Sequence, residues 1–297
     1  MKLVVFDVGG TEIKYSVIGD DLAPVDTGYV PTPDTSFEDF ASVMEDVYRK
    51  HENEVEGIAI SMGGFINSDD GICIGSGKSY NWGVPIGPEM SKRCGCPVVI
   101  ENDGKCAALA EYEAGSLKGT VNSAAYVIGT FIGGGLILDG KILHGPRYVA
   151  GEFSFMNARQ DWFGLEKNCC GNNCSTSALL REYGEEGVDG REFFRRYDAG
   201  DEKAKAALDV VSSNIANHIA SISNLLDLER VAIGGGICQQ PAVLRKIQEK
   251  VHWYYHDSEL AHTGNILPGP EVVRCTYGSE ANQIGAYFAF RNHFQHK

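Results

Sequence analysis

The chain has 297 residues, enough for one large or, better, two ordinary domains, and its 43% apolar composition supplies a real core. Lys+Arg 26 against Asp+Glu 40 leaves a net charge of −14, which argues against nucleic acid or an anionic membrane as the main partner. No apolar run approaches the ~20 residues of a membrane span, Asp7 interrupts the first one too early for a signal peptide, and nine scattered cysteines without secretory features point to reduced thiols and a cytoplasmic setting.

Leu3-Val4-Val5-Phe6 reads as a strand ending in Asp7-Val8-Gly9-Gly10-Thr11, and the alternation of Ile13, Tyr15 and Val17 with Lys14 and Ser16 reads as a second strand. Glycines in that turn let backbone approach a phosphate, with Thr11 and Lys14 offering a hydroxyl and a cation, although an ordinary Gly-Gly hairpin explains the same residues. Ser36 and Asp39 mark a helix start, followed by Phe37, Phe40, Ala41, Met44, Val47 and Tyr48 at helical spacing. Gly57 to Ser61 is a buried strand running into Met62-Gly63-Gly64-Phe65, a second place where backbone can line a cleft. Asn67 to Gly87 reads as surface loop and hairpin, with Trp82 as its anchor.

The stretch from Pro97 to Glu111 is the most informative. The apolar run Val98-Val99-Ile100 stops at Glu101-Asn102-Asp103, and an Ala-rich helical pattern follows. In open α/β sheets, ligands sit beyond the carboxyl ends of strands, which makes Asp103 the candidate general base. The competing explanation is that Asn102 or Asp103 only caps the helix. Gly115 to Asn122 has linker composition, and the main domain boundary is placed there.

The second half then repeats the first. Ala124 to Ile128 is a strand, Gly129-Thr130-Phe131-Ile132-Gly133-Gly134-Gly135 reads as a glycine turn, and Leu136-Ile137-Leu138 as the returning strand. Two strand, turn, strand units suggest a duplicated architecture with two phosphate-facing hairpins. Glu152, within Ala150-Gly151-Glu152-Phe153, is either a buried carboxylate awaiting hydroxyl partners or a surface acid beside a core Phe. Cys169, Cys170 and Cys174 could bind zinc, but adjacent cysteines rarely both reach one ion, so packed thiols are the expectation. Glu202 to Leu226 is a long core helix with Ala206, Leu208, Val211, Ile215, Ile219, Ile222 and Leu226 near one face. Val231 to Ile233 leads into Gly234-Gly235-Gly236, a third glycine turn, and Pro241 opens a helix. The last helix, from Glu280, is expected to pack back on the first domain.

The ordered set Asp7-Val-Gly-Gly-Thr-Glu-Ile-Lys14, Glu101-Asn-Asp-Gly-Lys-Cys-Ala-Ala108, Gly129-Thr-Phe-Ile-Gly-Gly-Gly135, Ala150-Gly-Glu152 and Ile233-Gly-Gly-Gly236 resembles the ROK family of sugar kinases. That resemblance implies an α/β, two-domain actin-like ATPase (ribonuclease H-like) fold with a sugar and ATP cleft between the domains. The domains are then 1–118 plus 280–297, and 119–279. It implies ATP and Mg²⁺ as cofactors and Asp103 as the base on a sugar hydroxyl, with Gly64, Asn102, Glu152, Phe155 and Thr176 around the sugar. Gly9, Gly10, Thr11, Lys14, Thr130, Gly133 and Gly134 would hold phosphates, Gly235 and Gly236 would lie near adenosine, and Asp7 would help place Mg²⁺. It also points to a homodimer.

Four positions depart from the family pattern. Ser154-Phe155 stands where Gly-His is usual, which removes a sugar contact and a zinc ligand. The cysteine cluster is shortened, and the sugar-binding Glu beyond it is replaced by Ser175, Thr176 or Ser177. Phe131 replaces a glycine, and Gly63 stands where Pro is common. The first two resemble a zinc-less branch that includes β-glucoside kinases. The expected reaction is phosphorylation of a primary hydroxyl, at C6 of a hexose, hexosamine or β-glucoside. The rivals are a sugar-responsive repressor, which the first strand at Leu3 and the acidic charge oppose, and a sugar-binding protein without kinase activity.

Overall fold

In the computed structural model, residues 1–157, 168–259, 261 and 267–295 are described. The chain divides into two units: Met1–Glu113 with His144–Ala150 and Ser279–Lys297, and Ala114–Leu143 with Gly151–Gly278.

The first unit is built on a five-stranded sheet in the order β3-β2-β1-β4-β7. Strands β1 (Leu3–Val8), β2 (Glu12–Ile18) and β3 (Val25–Pro31) form an antiparallel meander, while β4 (Gly57–Met62) and β7 (Val98–Asn102) run parallel to β1. β4 is buried along its whole length, which is why its residues read as a continuous apolar run rather than an alternation. Helix α1 (Phe37–Arg49) starts where Ser36 accepts the Asp39 amide, and it buries Phe40, Ala41, Met44, Val47 and Tyr48. Strands β5 (Phe65–Asn67) and β6 (Ile72–Gly75) pair as a hairpin, and α2 (Ile86–Cys94) ends on Gly95 in the left-handed conformation. Trp82 is 60% exposed, and its Nε1 donates to the Ser76 carbonyl of the same loop at 2.7 Å.

Helix α3 (Asp103–Ala114) follows β7 directly, and the last helix of the chain, Ala281–Gln295, packs on β1, β4 and β7 of this unit as expected. Close approach requires Gly285, where a Cβ would stand 1.8 Å from the Cys106 carbonyl oxygen.

The second unit repeats the plan with its own sheet, β10-β9-β8-β11-β12. Here β8 (Ser123–Ile128), β9 (Ile132–Leu138) and β10 (Lys141–Ile142) are the antiparallel meander, and β11 (Arg230–Gly234) and β12 (Glu271–Arg274) are parallel to β8. The duplication read from two strand, turn, strand units is thus a repeat of the whole sheet order. One boundary differs from expectation: Gly133, Gly134 and Gly135 lie inside β9, paired with Val127, Tyr126 and Ala125, so the turn is only Gly129-Thr130-Phe131. The physical reason is packing. A Cβ on Gly134 would stand 2.3 Å from the Ala125 carbonyl oxygen and 2.6 Å from the Phe153 ring.

Helix α4 (Thr176–Tyr183) is capped by Ser175, α5 (Gly190–Asp198) by Asp189, and the 25-residue α6 (Glu202–Leu226) by Asp201. In α6, Ala204 and Ala207 face inward where Ala206 was expected, and Ala206 is exposed. Helix α7 (Pro241–His252) opens on its Pro and buries Val243, Ile247 and Val251. Among the described residues, no helix is long and apolar enough to cross a membrane.

Candidate active site

In the first unit the functional side chains gather beyond the carboxyl ends of the parallel strands. Register sets them in a row, Asp7 of β1 opposite Ser61 of β4 and Ser61 opposite Glu101 of β7. Asp7 Oδ1 accepts from Ser61 Oγ at 3.2 Å and from Asn282 Nδ2 of the last helix at 3.1 Å. Burial pushes the Asp7 carboxyl above its ordinary value; the Asn282 and Ser61 hydrogen bonds oppose this, and the nearby Asp103 charge adds to it.

Asn102, which ends β7, is buried and spans the turn. Its Oδ1 accepts the Lys105 amide at 3.0 Å, and its Nδ2 donates to the Gly64 carbonyl at 2.8 Å. Asn102 is therefore the helix cap, which leaves Asp103 without that duty. Asp103 Oδ1 accepts the Gly104 amide at 2.8 Å, and Oδ2 faces Gly63, where a Cβ would stand 3.4 Å away. Burial raises the Asp103 pKa, and the Gly104 N–H and the buried Lys105 charge hold it back. Gly64 is demanded by the fold: its φ is +122°, and a Cβ would stand 2.2 Å from the Gly75 carbonyl oxygen.

The β1–β2 turn is exposed at Gly9, Gly10 and Thr11, as is Lys14. The Gly9 amide closes the hairpin on the Glu12 carbonyl at 2.9 Å, and Thr32 braces it through the Gly9 carbonyl at 2.8 Å. The two glycines differ. A Cβ on Gly9 would meet the Glu12 carbonyl oxygen at 2.8 Å, whereas one on Gly10 would meet nothing within 4 Å.

In the second unit, Thr130 lies in the turn after β8, next to two other predicted positions. The Gly129 carbonyl accepts the Thr176 amide at 3.0 Å, and Gly235, at φ +96°, packs on Ile128 so tightly that a Cβ would stand 2.1 Å from its carbonyl oxygen. Gly236 has open space around it. Glu152 is half-buried and precedes the 3-10 turn Phe153–Phe155, which Ser154 ties to both backbone groups of Ile132. Phe155 and Phe131 are 54% and 63% exposed. Gly133 and Gly134, as noted, are strand positions, and the Phe153 ring covers Gly134.

The cysteines make a core cluster. Cys170 Sγ lies 2.9 Å from Tyr126 Oη, 3.0 Å from Cys174 Sγ and 3.3 Å from His218 Nδ1. The Cys174 hydrogen bond, with His218 and Tyr126, holds the Cys170 thiol down at about 5 against its desolvation. These groups hydrogen-bond to one another rather than standing apart around a tetrahedral centre. Among the described residues, the His, Cys, Asp and Glu groups with three ligand atoms within 4.8 Å of one another comprise Asp26, His51 and Glu54, at the surface of the first unit.

Sequence reasoning passed over Glu101, Ser61, Asn282 and His144. Glu101 carried a signal, since a carboxylate closing an apolar strand must find partners; His144 and Asn282 carried none.

The sequence profile of the ROK family matches residues 3–292. The chain belongs to the ROK family. An N-acetyl-D-glucosamine kinase of Vibrio atlanticus is 28% identical, with 95% of this chain and 97% of that protein covered. A β-glucoside kinase of Klebsiella pneumoniae is 27% identical over 98% of this chain and 97% of its own. Among solved structures, a ROK family protein from Streptococcus pneumoniae TIGR4 in complex with sucrose is 28% identical, with both chains covered fully and a TM-score of 0.88. With such neighbours, this ROK chain has the two-domain actin-like ATPase fold, and the repeated sheet order is that fold's duplicated core.

Proposed function

We propose that this ROK protein is an ATP-dependent sugar kinase that phosphorylates a primary hydroxyl, at C6 of a hexose, hexosamine or β-glucoside. The observation that carries the reading is the Asp103 carboxylate, spared from capping by Asn102 and raised in basicity by burial at the same strand ends as Asp7. Kinase relatives across the whole length support it.

Phosphoryl transfer asks a protein mainly for positioning and charge stabilisation. Asp103 accepts the hydroxyl proton as the oxygen attacks; burial raises its pKa, which makes it a better base, and the Gly104 N–H opposes that rise. Asn102 and Gly64 of the first unit are assigned to the sugar, as are Glu152, Phe155 and Thr176 of the second. Gly9, Gly10, Thr11 and Lys14 of the first unit and Thr130 and Gly133 of the second are assigned to the phosphates, and Gly235 and Gly236 to the adenosine; Gly134, covered by the Phe153 ring, is left to the fold. Asp7 fits a Mg²⁺ role: Ser61 and Asn282 both bond Oδ1, leaving Oδ2 without a partner among the described residues. Mg²⁺ held there would supply charge neutralisation for the phosphates. The chain functions in the cytoplasm as a homodimer.

A coupled assay of ADP formation against glucose, N-acetylmannosamine, N-acetylglucosamine, fructose, cellobiose and gentiobiose tests the reading. ADP release above background with one of them supports it. Sugar binding by calorimetry without ADP release replaces it with the non-catalytic alternative.

A further inference from the structure

Between β10 and Glu152 the chain joins the first unit for seven residues, His144–Ala150. Two side chains fasten this strap: His144 Nε2 lies 2.6 Å from Glu101 Oε2, and Tyr148 Oη donates to Asp69 at 2.8 Å. The Ala150 amide returns to the His144 carbonyl at 3.2 Å, and Tyr148 adopts a positive φ of 59° within the loop so formed. Glu101 is 3% exposed, and its other oxygen accepts the Asn102 amide at 2.7 Å. One buried carboxylate thus has one arm on the strap and the other on the residue before Asp103. A buried carboxylate that loses its partner is strongly destabilised and reorients toward whatever donor it can reach.

We propose that His144 is a positioning residue for Asp103: by holding Glu101, it fixes the backbone of the turn from which the base projects. The role assigned to Asp103 rests on the kinase reading. The Asn102 side chain is held separately, by Gly64 and Lys105. Losing His144 therefore moves the 102–103 backbone more than it moves the sugar-side amide, and the effect falls on kcat rather than on sugar KM. The groups facing the imidazole are Glu101, Lys105, Asp69 and the Tyr148 ring, 6.1 Å away. Burial lowers its pKa and Lys105 adds to that, but the Glu101 hydrogen bond and charge outweigh both, so the net shift is upward from 6.5.

The test compares wild type, His144→Leu and His144→Gln on the best sugar from the screen, with Glu101→Gln standing in if the Leu variant fails to fold. His144→Leu should lower kcat about 10-fold or more, with sugar KM within about threefold. Wild-type kcat should fall in alkali as His144 loses the charge that holds Glu101, whereas His144→Gln, whose amide can donate to Glu101 from nearly the same place, should recover most of kcat without that fall. Normal kcat in the Leu variant, a rise confined to KM, or Gln no better than Leu overturns the proposal. Amide exchange at Asn102 is read on the same proteins: faster exchange in Leu with protection restored in Gln supports the His144 hold, and equal protection in all refutes it. A wild type that turns over no sugar defeats the kinase reading alone, and the exchange result then decides the hold.

Discussion

Two adjacent glycines in the β1–β2 turn separate what the fold needs from what a nucleotide needs. At Gly9, an added Cβ would stand 2.8 Å from the Glu12 carbonyl oxygen, inside the hairpin's own closing hydrogen bond. Gly9→Ala should therefore cost about 1–3 kcal/mol of stability, the usual range for overpacking against backbone that cannot move aside. At Gly10, the added Cβ meets nothing within 4 Å, and the backbone is outside the left-handed region. Gly10→Ala should leave the fold intact or stabilise it by about 0.4–1 kcal/mol, because the unfolded chain loses freedom. If ATP phosphates approach that backbone, the methyl intrudes on them, and a loss of about 1.4–2.8 kcal/mol raises the ATP KM about 10- to 100-fold. Thermal melting and initial-rate kinetics over ATP and sugar read both effects. Gly10→Ala with an unchanged ATP KM, or a melting loss as large as that of Gly9→Ala, would refute the assignment.

Asp103→Asn should lower kcat by at least ~10²-fold with sugar affinity largely kept. Because burial raises the Asp103 pKa above 3.8, its ionised form costs stability at neutral pH; Asn should melt higher there, and the advantage should vanish as the pH falls below 3.8. His144 behaves with the same sign: its contribution is fully present below 6.5 and lost as the pH rises through its raised native value. The melting difference between wild type and His144→Gln should accordingly shrink in alkali, and a difference that grows would contradict the pairing with Glu101. Gly285→Ala places a Cβ 1.8 Å from the Cys106 carbonyl and should destabilise by roughly 3 kcal/mol or more, seen as a lowered denaturant midpoint. Metal analysis of the purified protein should find no stoichiometric zinc, since Cys170, Cys174 and His218 are engaged with one another; one zinc per chain would overturn that reading.

Local pattern carried far into this fold. Ser36 with Asp39, Pro241, and the span from Glu202 to Leu226 announced their helices because caps and helical periodicity are written in neighbouring residues. The strand ends at Asp7 and Asp103 were legible for the same reason, as were the two similar halves. Strand β3 was not, because Val25–Pro31 is largely exposed and lacks an apolar alternation.

The sequence by itself determined the buried strands that open each half, the longer helices, the duplication and the position of Asp103 just past a buried strand. Tertiary structure decided which residue caps α3, since Asn102 and Asp103 are equally suited by type and only the Gly64 carbonyl and the Glu101 carboxylate commit Asn102 to the turn. It also decided which glycines serve the fold, because Gly9, Gly134, Gly235 and Gly285 are fixed by atoms distant from or across a turn, while Gly10 and Gly236 are not. The His144–Glu101 pair spans 43 residues of chain, and such a contact follows from packing that no local spacing encodes.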